Sequence, residues 1–186
     1  MVLLTSNNNV LKIGDKSPDF LLPGIDGKEH SLEFSKEKKA ILVLFMCNHC
    51  PYVIPKFDLF VKLQRKYGAN GFQLIGINSN DPNVVSDDSF EGMKKTAKEQ
   101  NFNFPYLFDE TQTVAKAYGA VCTPDPFLLN SNFEVVYHGR FDDAHKRPPS
   151  ESTTHEMEDA IKQLLDGRKV VVKQFPSMGC SIKWKQ

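Results

Sequence analysis

Ala40-Ile41-Leu42-Val43-Leu44-Phe45-Met46 is an unbroken apolar run, and it leads straight into Cys47-Asn48-His49-Cys50. A continuous run of this length reads as a strand buried on both faces, as at the centre of a sheet covered by helices. A helical pattern follows it. Val53, Phe57, Phe60, Val61 and Leu63 recur at helical spacing, and Gly68 and Gly71 close the element. A strand that passes through Cys-x-x-Cys into a helix places two thiols at a helix start. The unpaired N–H groups and the positive dipole end there favour a thiolate. Cys47 is therefore read as the nucleophile, with a lowered pKa. Cys50, one turn later, is read as the thiol that attacks a mixed disulfide and releases the partner. His49 is read as a donor to the Cys47 thiolate, which lowers its pKa further and makes the disulfide more oxidising.

The remaining pattern completes an α/β layout. Pro18 to Pro23 reads as a short strand, and Gly24-Ile25-Asp26-Gly27 as a tight turn. Phe72 to Ile77 is a second apolar strand, followed by the loop Asn78 to Pro82. Residues 89–101 suit a helix with Phe90, Met93 and Ala97 on one side. Pro105 to Phe108 is strand-like. Thr111 to Tyr118 reads as a short helix ended by Gly119. Phe127 to Leu129 and Val135 to His138, separated by Asn130-Ser131-Asn132, form a hairpin signal. Met157, Ala160, Ile161, Leu164 and Leu165 mark a last amphipathic helix closed by Gly167. Strands alternating with helices, then a hairpin and a helix, imply a mixed central β-sheet flanked by helices.

Length and charge narrow the function. The chain has 186 residues, enough for one domain with a real core, and it is expected to be a single domain over 1–186. Residues 1–14 read as a polar lead-in and 176–186 as a C-terminal tail. Lys+Arg and Asp+Glu are both 23. That balance argues against nucleic-acid or anionic-membrane partners. No apolar run approaches a membrane span. The first residues lack the basic start and apolar stretch of a secretory signal, so a cytoplasmic location is expected. In such a compartment Cys-x-x-Cys points to catalysis or metal rather than to a structural staple. The other cysteines, Cys122 and Cys180, and the scattered His30, His138, His145 and His155 complete no zinc spacing, so neither metal nor cofactor is expected. The acid pairs Asp109-Glu110 and Asp142-Asp143 read as solvated loops or helix caps, and Arg140 with Asp142 as a surface ion pair. Trp184 is expected to pack on the core. The Phe-rich composition allows a dimer without requiring one.

Several segments together resemble one family. They are Cys47-Asn-His-Cys-Pro-Tyr-Val53, Gly76-Ile-Asn-Ser-Asn-Asp81, Phe104-Pro-Tyr-Leu-Phe-Asp-Glu110, Ala115-Lys-Ala-Tyr-Gly119, Cys122-Thr-Pro-Asp-Pro-Phe-Leu128 and Gly179-Cys-Ser-Ile-Lys-Trp-Lys185. The pattern is similar to thioredoxin-like proteins of the redoxin group, the alkyl hydroperoxide reductase/thiol-specific antioxidant class. Its members are usually described as thiol–disulfide oxidoreductases or isomerases. The resemblance implies a thioredoxin-like fold, a Cys47–Cys50 redox pair and a cis-proline at Pro124 before the hairpin. It implies that the Thr123 backbone is exposed and pairs with an extended substrate segment. It also implies possible disulfide relays at Cys122, near the dithiol, and at Cys180, in a tail that could fold back toward it. The partners it implies are protein or small-molecule thiols and disulfides, with a thioredoxin or glutathione system as reductant.

Two departures from the pattern stand out. Thioredoxin carries an acidic residue in the strand before its Cys-x-x-Cys, where it helps to move protons. Here that strand is wholly apolar, and the proton acceptor for Cys50 is unassigned. Peroxiredoxins carry Pro-x-x-x-Thr/Ser-x-x-Cys. Counting back from Cys47 gives Leu44 and Ala40, and from Cys50 gives Cys47 and Val43. The first reading is thiol–disulfide exchange. The alternatives are an antioxidant thiol peroxidase using Cys47, and a non-enzymatic module that binds metal or a partner through the same cysteines.

Overall fold

The structure, a computed structural model, describes residues 2–147 and 150–186; Met1, the first residue of the expected lead-in, lies outside them. Its centre is strand β4 (Ala40–Phe45), every residue of which is buried. Side chains alternate faces along a strand. Ala40, Leu42, Leu44 and Met46 enter one apolar cluster, and Ile41, Val43 and Phe45 enter another. Both faces are covered, so both registers of the strand are apolar, as the unbroken run implies.

Five strands form the main sheet, in the order β6 (Tyr106–Phe108), β5 (Phe72–Asn78), β4, β8 (Asp125–Asn130), β9 (Val135–His138). The pairs β4–β5 and β5–β6 are parallel, while β4–β8 and β8–β9 are antiparallel. Parallel neighbours need crossovers. Helix α1 (Phe57–Tyr67) supplies the first and α2 (Phe90–Glu99) the second. Together with α4 (Glu156–Leu165) they pack on the Leu42–Leu44 face through Phe60, Met93, Met157 and Ile161. Helix α3 (Thr113–Tyr118) packs on the other face through Val114, Ala115 and Tyr118. It ends at Gly119, whose φ of +71° is the left-handed cap conformation expected of glycine. The mixed α/β architecture agrees with the sequence reading. Trp184 packs against the second cluster, and among the described residues no helix is long and apolar enough to cross a membrane.

The structure corrects three expectations. The lead-in is not merely polar surface: β1 (Leu3–Thr5) pairs with β10 (Met178–Ser181) in the tail, and β10 pairs in turn with β7 (Cys122–Thr123). The two ends of the chain thus close a second, three-stranded sheet, and β2 (Leu22–Pro23) and β3 (Glu29–His30) form a small hairpin of their own. Second, no α-helix starts at the Cys-x-x-Cys. Residues 51–53 form a turn, a 3-10 turn spans Ile54–Lys56, and α1 begins only at Phe57. Pro51 and Pro55 lack N–H groups and delay the regular ladder. Third, Arg140 and Asp142 do not pair with each other. Arg140 binds Glu156, while Asp142 accepts two bonds from Lys56, at 2.6 and 2.8 Å, in a buried pair, and a third from the Ala144 N–H at 2.9 Å. The local sequence missed it because Lys56 lies on a different segment.

A buried charge stripped of its partner is costly, so Asp142→Ala is expected to lower the unfolding free energy by about 3–5 kcal/mol. Replacing both Lys56 and Asp142 with apolar residues should recover most of that loss. Urea denaturation of the single and double variants measures both.

Candidate active site

The site lies beyond the carboxyl ends of β4 and β5, where open α/β sheets place their ligands. Parallel pairing sends both chains out of the sheet at the same end, with Phe45 beside Ile77. Cys47 to Cys50 therefore emerge next to the loop that runs from Asn78 to Asp88. On the other side β8 is antiparallel, and Phe45 pairs with Asp125. That register delivers the chain just before β8, Cys122-Thr123-Pro124, to the same end. The Thr123–Pro124 peptide bond is cis.

Both thiols converge on Thr123. The Cys47 Sγ lies 3.3 Å from the Thr123 hydroxyl, and the Cys50 Sγ lies 3.2 Å from the Thr123 carbonyl oxygen. Cys50 also takes a backbone N–H from Tyr52 at 3.4 Å and stands 2.9 Å from the Cys180 sulfur. All three sulfurs are buried. Cys122 is buried as well. Thr123 turns to the dithiol, so its neighbour Cys122 faces the other side of β7, where its sulfur is 3.9 Å from the Pro124 carbonyl. Burial pushes the Cys122 thiol up.

The protons are distributed otherwise than the sequence implied. Burial, the hydrogen bond with Cys50 and the nearby Asp88 charge hold the Cys47 thiol well above its usual range. Cys50 is pulled down to about 5, first by its hydrogen bond from Cys47 and, against the cost of burial, by those from Cys180 and Tyr52. Cys180 is pushed up to about 12, chiefly by burial and by its bond to Cys50. Cys50 is the thiol of the pair that is pulled down, because the donors of Cys47, Cys180 and Tyr52 act on its sulfur. The lowered pKa expected at Cys47 thus falls on Cys50, since no helix start aims N–H groups at Cys47.

His49 is corrected too. Its Nδ1 bonds the Asp88 carboxylate at 2.6 Å rather than a sulfur. Its Nε2 is buried and has no hydrogen-bond partner among the described residues, an arrangement that calls for a reason. Asp88 is also held by the Asn48 backbone N–H at 2.7 Å and by the Asn80 amide at 2.7 Å. Asn48 is fixed in turn by the Tyr106 hydroxyl at 3.0 Å and by the Asp87 carbonyl at 2.7 Å. Cys47, His49 and Asp88 offer ligand-type atoms within 4.8 Å of one another. The Asp88 oxygens are already engaged by those three donors, which suits an oriented histidine better than a metal ligand. Sequence reasoning missed Asp88. The available signal was an acid in the loop leaving the strand beside the cysteine strand, visible only once that pairing is known. The acids Asp109 and Asp125 have structural roles: Asp109 accepts the Ala115 N–H at the start of α3, and Asp125 bonds the buried His138 at 2.7 Å.

The expectation for Thr123 also changes. Its backbone is not exposed: β10 lies against it, with Cys180 paired to Thr123.

The fold and this two-cysteine cradle define a thioredoxin-like oxidoreductase of the redoxin group. A family model described as the AhpC/TSA family matches residues 13–140, and the chain belongs to that family. It is similar to an uncharacterised conserved protein from Geobacillus kaustophilus, with a TM-score of 0.91, 42% identity, and coverage of 100% of this chain and 97% of that one. It is 22% identical over 161 residues to the thiol-disulfide oxidoreductase ResA of Bacillus cereus, covering 86% of this chain and 82% of the relative. Its fold also matches the thioredoxin domain of a thiol-disulfide oxidoreductase from Bacteroides vulgatus, with a TM-score of 0.60, 21% identity, and coverage of 69% of this chain and 88% of that domain.

The ultraviolet absorbance of thiolate in the reduced protein is expected to rise with a midpoint near pH 5, the charge being present above that pH and lost below it. Cys50→Ser should remove this step. A step that survives in Cys50→Ser would place the charge on another sulfur.

Proposed function

We propose that the protein exchanges disulfides with thiol or disulfide substrates through Cys47 and Cys50. The observation that supports this most directly is the convergence of both sulfurs on Thr123, where the Cys50 thiol is pulled down. In the reducing direction, the Cys50 thiolate takes the proton of Cys47 as Cys47 attacks a substrate disulfide. One substrate sulfur bonds to Cys47, and the other leaves as a thiolate. That thiolate takes the proton from Cys50. Cys50 then attacks the Cys47 sulfur, closes the Cys47–Cys50 disulfide and releases the second substrate thiolate. The reverse sequence oxidises a dithiol. The His49–Asp88 pair stands beside Cys47 and supplies a second proton station there. Peroxide reduction has less support, because Leu44 and Ala40 stand where peroxiredoxins place Thr/Ser and Pro.

Equilibration in glutathione buffers with mass-spectrometric thiol counting tests this reading. Cys47 and Cys50 are expected to pair at a potential between about −270 and −120 mV, the span from reducing to oxidising members of this fold. With a small aromatic disulfide as substrate, Cys50→Ser should stop at a mixed disulfide on Cys47, and Cys47→Ser should lose at least ~100-fold in turnover, the scale on which removal of a covalent nucleophile is felt. Failure of the two cysteines to pair at any poise would overturn the dithiol mechanism.

A further inference from the structure

The tail strand β10 occupies the backbone edge that a substrate would use, and it does so at unusually short range. A Cβ on Gly179 would lie 1.8 Å from the Thr123 carbonyl oxygen and 3.1 Å from the Pro124 nitrogen. Only glycine lets the strand pass so close. The next residue, Cys180, is then paired with Thr123, and its sulfur sits 2.9 Å from that of Cys50.

This approach is pinned on both sides. The Ser177 hydroxyl donates to the Pro124 carbonyl at 2.6 Å. The Ile182 N–H reaches the Val121 carbonyl at 3.0 Å, and the Lys183 N–H reaches the Asn80 side chain at 2.8 Å. Asn80 also holds Asp88, so the tail is tied to the network that orients His49.

We propose that Cys180 is a third redox cysteine, which converts the Cys47–Cys50 disulfide into a Cys50–Cys180 disulfide by exchange within the chain. The proposal rests on the dithiol reading above. The Cys180 thiolate attacks the Cys50 sulfur, the Cys50–Cys180 bond forms, the Cys47–Cys50 bond breaks, and Cys47 leaves as a thiolate. The proton lost by Cys180 ends on Cys47. The two disulfides are isomers, so the step consumes neither oxidant nor reductant. Its consequence is an oxidised protein in which Cys47 is again a thiol, with the oxidising equivalent moved onto the C-terminal strand. The segment that fills the substrate edge thereby acts as a substrate built into the chain.

The experiment is disulfide mapping of the full chain. The protein is equilibrated at several glutathione poises, quenched with acid, blocked with N-ethylmaleimide and digested without reduction for mass spectrometry. Two bridges are expected, Cys47–Cys50 and Cys50–Cys180. Their ratio should stay constant as the poise changes, because they hold the same number of electrons. Cys47→Ser should leave Cys50–Cys180 as its bridge, and Cys180→Ser should leave Cys47–Cys50. Gly179→Ala keeps every cysteine but moves the strand away, and should cut the Cys50–Cys180 share at least ten-fold. The two serine variants are near-isosteric and carry the test even if Gly179→Ala does not fold. Finding Cys47–Cys50 alone at every poise, with no bridge in Cys47→Ser, would overturn the relay and leave the dithiol mechanism standing. Finding neither bridge, or Cys50–Cys180 alone with no Cys47–Cys50 bridge in Cys180→Ser, would overturn both.

Discussion

Everything at the site depends on the pairing of β4 with a parallel neighbour on one side and an antiparallel neighbour on the other. Parallel pairing to β5 makes two chains leave the sheet together, which sets Asp88 against Asn48 and His49. Antiparallel pairing to β8 brings a chain into the sheet at the same end, which sets Thr123 under the two sulfurs. The strand holds these registers because both of its faces are packed. A slip of one residue would exchange the contents of the two apolar clusters.

That rigid frame lets the protein keep ionisable groups in a dry place. Burial alone raises the pKa of every thiol and disfavours its charge. The cluster answers by concentrating donors on one sulfur. Cys47, Cys180 and the Tyr52 N–H act on Cys50, and its thiol is the one pulled down. Asp88 is a second buried acidic group close by, and its carboxylate is held in the same way by Asn80, His49 and a backbone N–H. These two neighbouring acidic groups draw on separate sets of donors. Asn80 in the loop after β5, together with Asn48 and His49 from the Cys-x-x-Cys, supplies the set for Asp88.

Much of this was legible in the chain. The run 40–46, the later strands and the helix faces follow from periodicity, because each buries a surface whose pattern is local. Gly119 and Gly167 announced helix ends because their backbone must turn left-handed. The cysteine pair was legible as a motif. The helix start placed at Cys47 was not correct, since the prolines at 51 and 55 outweigh the apolar spacing that begins at Val53. The polar reading of the first residues failed for a different reason. Leu3 to Thr5 carry no strong strand signal of their own and become a strand by pairing with a partner some 170 residues away.

The sequence by itself determined the fold class, the buried central strand and the placing of Cys-x-x-Cys at its end, because these rest on spacing between near neighbours. Only the tertiary structure decided which donors reach which sulfur, what orients His49 and what lies on Thr123. Each of these depends on groups far apart in the chain: Asp88 is 39 residues from His49, and Cys180 is 130 from Cys50. Proton distribution in a buried cluster is set by which donors are within reach, and reach across such separations exists only after the sheet has closed.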